Sequence, residues 1–239
     1  MKLLAIDTTA NTASVAVLED VRMLALLTVN AKNTHSEILL PLIKSALDSL
    51  ALSVADMDIF ACAEGPGSFT GVRIGAATIK GLAFDTGKPC IGVSTLEALA
   101  ENMVGFDGIV CAAMNARRNQ VYTATFRVRN GACERLTEDA CKMVDEVAKE
   151  LEAYAEPLYF VGDGAEIAKG ACGERENLAD TPELLLYQNA YSVGVCAYRR
   201  QIAGEMGTDL ALVPKYLRKP QAEREREERL AAEQRNKES

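Results

Sequence analysis

The chain has 239 residues, 49% of them hydrophobic, with a formal net charge of −8, which is ample apolar material for one large or two small cores. That acidity, with aromatics at only 5% and no tryptophan, argues against an RNA grip of its own, since such a grip needs clustered lysine and arginine or a base-stacking platform. Seven cysteines without a C-x-x-C pair read as small buried hydrophobes rather than disulfides or zinc ligands, no apolar run approaches a membrane span, and Met1 to Asp7 carry neither the apolar core nor the cleavage site of a leader, so a cytoplasmic location is expected.

An apolar run from Lys2 to Ile6 predicts a strand ending at Asp7-Thr8-Thr9, and Ala13 to Leu18 and Val21 to Val29 predict two more, which makes a meander. Thr34-His35-Ser36-Glu37 has the spacing of a capping box and opens a helix to about Leu50. At ~100° per residue its apolar side chains spread over roughly 200°, about twice the stripe that packing on one sheet requires. The surplus is a candidate for burial by another chain. Ile59 to Ala63 predicts a buried strand, Phe69 to Phe84 a helix, Lys88 to Val93 a strand, and Ser94 caps a further helix over Thr95 to Ala100. A second half restarts near Asp107, with strands over Gly108 to Met114 and Gln120 to Val128, a hairpin turn at Asn130-Gly131, and a helix over Glu138 to Tyr154. A strand over Leu158 to Val161 then ends in Gly162-Asp163-Gly164, and a last helix runs over Ala190 to Met206. Two halves that each open on a meander and continue in alternating helix and strand predict two α/β lobes, residues 1–106 and 107–219, facing one another across a cleft. Residues 220–239, rich in Glu and Arg, predict a charged, disordered tail or frayed helix without chemistry of its own.

The most distinctive stretch is Gly65-Pro66-Gly67-Ser68-Phe69-Thr70-Gly71-Val72-Arg73-Ile74-Gly75, which joins a buried strand to a helix. Gly65 and Gly67 permit positive φ around a proline corner, and Ser68 or Thr70 can cap the helix. Such a turn can hold an anion, but neither nucleotide motif fits. Val72 follows Gly71 where a Walker loop needs lysine, and Thr70 stands where the dinucleotide fingerprint has its third glycine. In the helix, Gly71, Gly75, Ala76, Ala77, Thr78, Gly81 and Ala83 leave room for a close neighbour, either the sheet or a partner helix, at about 1 kcal/mol of propensity per glycine. Arg73 and Lys80 share one face and can reach a carboxylate or phosphate at its edge.

This run closely resembles the signature of the TsaB (YeaZ) family. Pro214-Lys215-Tyr216-Leu217-Arg218 resembles that family's C-terminal sequence, and Asn115 to Tyr122 its central segment, with Asn115 where the family usually has Asp; the resemblance extends over about residues 1 to 219. It implies an α/β fold of two actin/Hsp70/sugar-kinase-like lobes, each a mixed sheet with flanking helices. It also implies a non-catalytic scaffold that holds a TsaD-type enzyme active. With a TsaE-type ATPase it would support transfer of threonylcarbamoyl from threonylcarbamoyl-adenylate to the adenosine beside the anticodon of tRNA. The chain is expected to pair with itself when that partner is absent, to meet tRNA only through the complex, and to have no membrane contact. Asp7, Thr8 and Thr9 resemble the superfamily's phosphate loop and are expected to be a vestigial cofactor site, although turn chemistry accounts for them equally. No cofactor is expected to bind the isolated chain tightly, with ATP or ADP allowed in the complex.

His35 is the only histidine. TsaD enzymes carry two histidines four residues apart on the corresponding helix, which hold the catalytic metal; here the fourth residue after His35 is Leu39. With that ligand missing, no cysteine cluster and no nucleophile in a recognised turn, neither a metal site nor a catalytic residue is assigned. An interface is expected on the two apolar helices, comprising His35, Leu39, Leu42, Phe69, Val72, Arg73, Ile74 and Ala76, with Arg73 at its rim. Two other readings remain: an autonomous ATP-binding phosphotransferase or ATPase, resting on Asp7-Thr8-Thr9 and the fold, and a metallopeptidase, against which the missing second histidine counts. Asn115 is expected to keep turn chemistry but not the charge that attracts a metal.

Overall fold

The computed structural model describes residues 1–30, 34–205 and 207–218. Its first sheet has the order β3-β2-β1-β4-β5, built from β1 (Lys2–Asp7), β2 (Thr12–Glu19), β3 (Arg22–Asn30), β4 (Ile59–Gly65) and β5 (Cys90–Ser94). The first three strands form the expected antiparallel meander, and β4 and β5 extend it in parallel with β1. The crossovers are α1 (His35–Ser49) and α2 (Phe69–Ala83). Because side chains alternate across a strand, Leu4, Ile6, Val15, Val17, Phe60 and Cys62 pack under α1 and α2. Leu3, Ala5, Ala16, Leu18, Ile59 and Ala61 face the opposite way, against α7 (Ala190–Ile202). Cover on both faces explains why β1 and β4 read as continuous apolar runs rather than alternating ones.

The second sheet has the order β10-β6-β7-β8, from β6 (Gly108–Arg117), β7 (Gln120–Arg129), β8 (Ala132–Arg135) and β10 (Leu158–Val161), with β9 (Ala140–Met143) on another stretch of β7. Ile109, Cys111, Ala113 and Phe160 pack towards α4 (Val144–Leu151) and α5 (Ala165–Ala171). On the other face Val110, Ala112, Ala124 and Phe126 pack on α3 (Thr95–Glu101). A single turn, α6 (Glu183–Leu186), precedes α7.

Between the sheets, α3 and α7 pack on one another. Arg199 bonds Glu101 at 2.6 Å and Arg200 bonds Glu97 at 2.5 Å across that contact. A division at residue 106 therefore separates the strands of the two sheets but not the helices. The last helix belongs to the core of the first sheet, and α3 lies on the second.

Several local expectations change. Over residues 138–154 a strand replaces the start of the expected helix, because Ala140 to Met143 complete the free edge of β7 before α4 begins. Thr34 occupies the N-cap of α1 without a side-chain cap bond, so the capping box is not formed there. Ser68 and Ser94 do cap, each accepting from the third residue on at 3.3 Å. At the hairpin, Asn130 and Gly131 have φ of 52° and 75°, as a type I′ turn requires. Met206 and the expected tail over 220–239 lie outside the described residues. All seven cysteines are free, and burial pushes the Cys111 thiol up to about 12, which keeps it protonated. Among the described residues no helix is long and apolar enough to cross a membrane.

Candidate functional site

The carboxyl ends of β1, β4, β6 and β10 converge on a cleft of about 560 Å³ between the sheets. At its base lies the turn Asp7-Thr8-Thr9. The Asp7 Oδ1 accepts from the Thr9 backbone N–H at 2.8 Å and from its hydroxyl at 2.7 Å, an Asx turn closed on itself. The Thr8 hydroxyl donates to the Gly71 carbonyl at 2.8 Å. All three residues are buried, so both hydroxyls of the expected phosphate loop are committed inside the protein. Burial raises the Asp7 carboxyl to about 6 despite those two bonds, and its Oδ2 has no partner.

Glycines in α2 and just before it explain how the turn is sealed. A Cβ on Gly71 would stand 1.9 Å from the Thr8 carbonyl oxygen, one on Gly67 2.4 Å from that of Thr9, and one on Gly75 2.7 Å from the Thr8 hydroxyl. Their neighbour is the β1–β2 turn, not a partner helix. Only Gly65 of the expected pair has positive φ, +112°; Gly67 is required by close approach instead. His35 Nε2 lies 2.6 Å from the Ala10 carbonyl and so donates to it, which tethers the start of α1 to the same turn.

A C-terminal strap closes one side of the cleft. The Lys215 backbone N–H donates to the Glu64 carbonyl at 2.7 Å, and its ammonium pairs with the Glu64 carboxylate at 2.6 Å. Tyr216 stacks on Phe69 with ring centroids 4.6 Å apart, and its hydroxyl accepts from Arg73 Nε at 2.8 Å. Arg218 then crosses to the second sheet and donates to the Ala116 carbonyl at 2.7 Å. Sequence reading missed these contacts, although Pro214 to Arg218 already stood out in the resemblance.

On the far rim, Asn115 Oδ1 accepts from the Arg117 N–H at 2.8 Å, so the turn role expected of Asn115 is present. The Asn115 N–H donates to Asp163 at 3.0 Å. Asp163 opens into the cleft, where desolvation by the walls raises its pKa. Among the described residues no group of three or more His, Cys, Asp or Glu is placed to hold a metal ion.

The expected interface requires correction. Leu39, Val72 and Ala76 are core residues, 1%, 1% and 3% exposed, packed with Ile43 and Ile79 under the first sheet. Leu42 and Ile74 are half-buried against that core, Phe69 lies under Tyr216, and His35 turns towards Ala10. Of the eight, Arg73 alone is exposed. The wide apolar arc misled because α1 packs on the sheet, on the half-buried side chains of β3 and beside α2, which together cover more than one stripe. Apolar side chains that do face outward on this side are Leu40, 56% exposed, and Phe84, 76% exposed, just beyond α2.

Comparison with known proteins agrees with this architecture. A family model described as TsaD, tRNA N6-adenosine threonylcarbamoyltransferase, matches residues 29–226. The tRNA threonylcarbamoyladenosine biosynthesis protein TsaB of Bacillus subtilis is 35% identical over 169 residues, 71% of this chain and 74% of that protein. A Pseudomonas aeruginosa crystal structure, described as an uncharacterized protein with similarity to peptidase YEAZ, is 28% identical with a TM-score of 0.78, over 91% of this chain and 99% of that one. The Acidaminococcus fermentans (R)-2-hydroxyglutaryl-CoA dehydratase component A, 13% identical with a TM-score of 0.52 over 84% of this chain and 99% of that one, shares the fold. Motifs, two-lobed mixed α/β architecture and sequence identity converge: the chain belongs to the TsaB (YeaZ) family.

Proposed function

We propose that the chain serves tRNA threonylcarbamoyladenosine biosynthesis as a cytoplasmic subunit without turnover of its own, which binds a TsaD-type catalytic subunit and acts with a TsaE-type ATPase. The observation that carries this reading is the sealed turn. Where the superfamily presents a phosphate loop, Thr8 and Thr9 are buried with their hydroxyls committed to Gly71 and Asp7, under a helix held there by glycines. The sole histidine is likewise engaged, by the Ala10 carbonyl. A tightly bound nucleotide is therefore not expected on the isolated chain, and ATP or ADP would enter with the complex. With a net charge of −8, tRNA would be met through the partner.

The partner surface on this reading is the outer side of α1 and α2, with Leu40, Leu42 and Ile74 at its centre and Arg73 at its rim, used by a second copy of the chain when the partner is absent. Co-purification with the TsaD-type subunit of the same organism tests it. A Leu40→Glu variant, which leaves the core untouched, should keep its circular dichroism and lose association by about 3 kcal/mol or more, because the carboxylate would be buried unpaired. A folded variant that associates as tightly as wild type would move the interface elsewhere. Reproducible ATP or peptide hydrolysis by the pure chain, abolished by Asp7→Ala or His35→Ala, would favour the phosphotransferase or peptidase reading instead.

A further inference from the structure

The helix α2 is cationic in an acidic chain. Residues 69–83 hold Arg73 and Lys80 and no aspartate or glutamate, whereas the whole chain has a formal net charge of −8. Arg73 is exposed, and its exposed neighbours one turn away, Thr70 and Ala77, are small and uncharged. An exposed arginine on a helix ordinarily keeps its rotamer freedom, which any pairing must then overcome. Here that freedom is already lost. The guanidinium carbon of Arg73 lies 4.0 Å from the centroid of the Phe69 ring, and its Nε–H donates to the Tyr216 hydroxyl at 2.8 Å. Tyr216 is itself fixed, because its ring stacks on Phe69 and Lys215 beside it is anchored to Glu64 through both backbone N–H and ammonium.

A guanidinium has several N–H donors in a rigid fork, and this arrangement engages only Nε. With Nε taken, the side-on approach is closed and the end-on fork of Nη1 and Nη2 remains, which matches the two oxygens of a carboxylate. Among the described residues no carboxylate pairs with Arg73; its partners there are the Tyr216 hydroxyl and the two rings. A cation held in place without its anion is one preorganised half of an ion pair. We propose that Arg73 receives a carboxylate, an Asp or Glu side chain of the partner subunit, end-on at Nη1 and Nη2, and that Tyr216 is the positioning residue that orients it. The proposal rests on the reading that the partner docks on the outer side of α1 and α2, where Ile74 and Leu40 supply apolar contact. One fork beside an apolar strip suits a single protein carboxylate, whereas a polyanion needs clustered cations. The C-terminal strap thereby becomes part of the docking surface.

The test is calorimetric titration of full-length variants with the TsaD-type subunit of the same organism, at low and at physiological salt. Arg73→Gln should weaken binding at least about tenfold and flatten its salt dependence. Arg73→Lys keeps the charge without the fork and should still lose at least about threefold. Tyr216→Phe keeps the ring stack and frees Nε; it should cost about threefold in the wild-type background and nothing further in Arg73→Gln, the coupling expected of a positioning residue. Arg73→Lys and Tyr216→Phe should keep their circular dichroism and melt within about 4 °C of wild type. Three results would overturn the proposal. If Arg73→Gln binds within about twofold of wild type while Leu40→Glu does not, the docking surface stands but Arg73 meets no carboxylate there. If Tyr216→Phe and Arg73→Gln are additive, Tyr216 acts on its own and not through Arg73. If the wild-type chain does not bind the partner, or neither Arg73→Gln nor Leu40→Glu weakens binding, the docking reading itself fails and the inference falls with it. Should Arg73→Gln fail to fold, Arg73→Lys takes its place in each comparison.

Discussion

The two sheets each turn after their first strand, and the two turns use one device to opposite ends. In the first, Asp7 Oδ1 accepts from the N–H two residues on; in the second, Asn115 Oδ1 does the same, both at 2.8 Å. The first turn is buried beneath the glycines of α2. The second is exposed, and Arg117, Arg118 and Asn119 hold φ of 63°, 56° and 56°, three successive left-handed residues none of which is glycine. A buried turn has no water to satisfy its backbone, so its carbonyls must be met at close range and the neighbouring helix must lack side chains there. An open turn tolerates local strain, because solvent completes its hydrogen bonds. The same turn geometry is a structural keystone in one lobe and a polar rim in the other.

That contrast can be broken most strongly at Gly71. A methyl group there would overlap the Thr8 carbonyl at 1.9 Å, backbone against backbone, so Gly71→Ala should destabilise by about 3 kcal/mol or more, or abolish folding, as read by urea denaturation. A cost below about 1 kcal/mol would show that α2 does not seat on the turn as described.

The next effect concerns charge. Because burial raises the folded pKa of Asp7 to about 6, the native state holds the proton more tightly than the unfolded chain. Stability from this group is then fully present below the unfolded carboxylate range and falls as pH rises towards and through 6. Asp7→Asn keeps the acceptor of the turn, as Asn115 already demonstrates. Relative to wild type it should gain roughly 2–3 kcal/mol between pH 4 and pH 7.5. A pH-independent difference between the two proteins would contradict the buried, unpartnered Oδ2.

The strap that runs from Glu64 and the start of α2 to the second sheet gives a smaller signal. Tyr216→Ala removes a ring stack and one hydrogen bond at a half-exposed site, for which about 1–1.5 kcal/mol is expected. Its readout should include faster proteolysis near the C-terminus. At the open turn the sign reverses. Asn119→Gly relieves one left-handed position in a hairpin and should raise stability by a few tenths of a kcal/mol, about 0.5 at most, measured as a small rise in melting temperature.

Much of this molecule was legible in the chain itself. The apolar runs at Lys2 to Ile6 and Ile59 to Ala63, the Ser68 and Ser94 caps and the Asn130-Gly131 turn are local signals, governed by side-chain periodicity and by backbone preference within a few residues, so they survive into the fold. The long glycine-rich run carried the family resemblance for the same reason. What only the tertiary structure decided was which surface each residue meets. Leu39 and Val72 look like surplus apolar surface on a helical wheel, and they are core because one helix can be covered by a sheet and a neighbouring helix together. Gly71 and Gly75 look like room for a partner, and the room belongs to Thr8, a residue more than sixty positions earlier. The strap and the sealed turn both depend on contacts between segments distant in sequence, and such contacts leave no periodicity for the sequence to display.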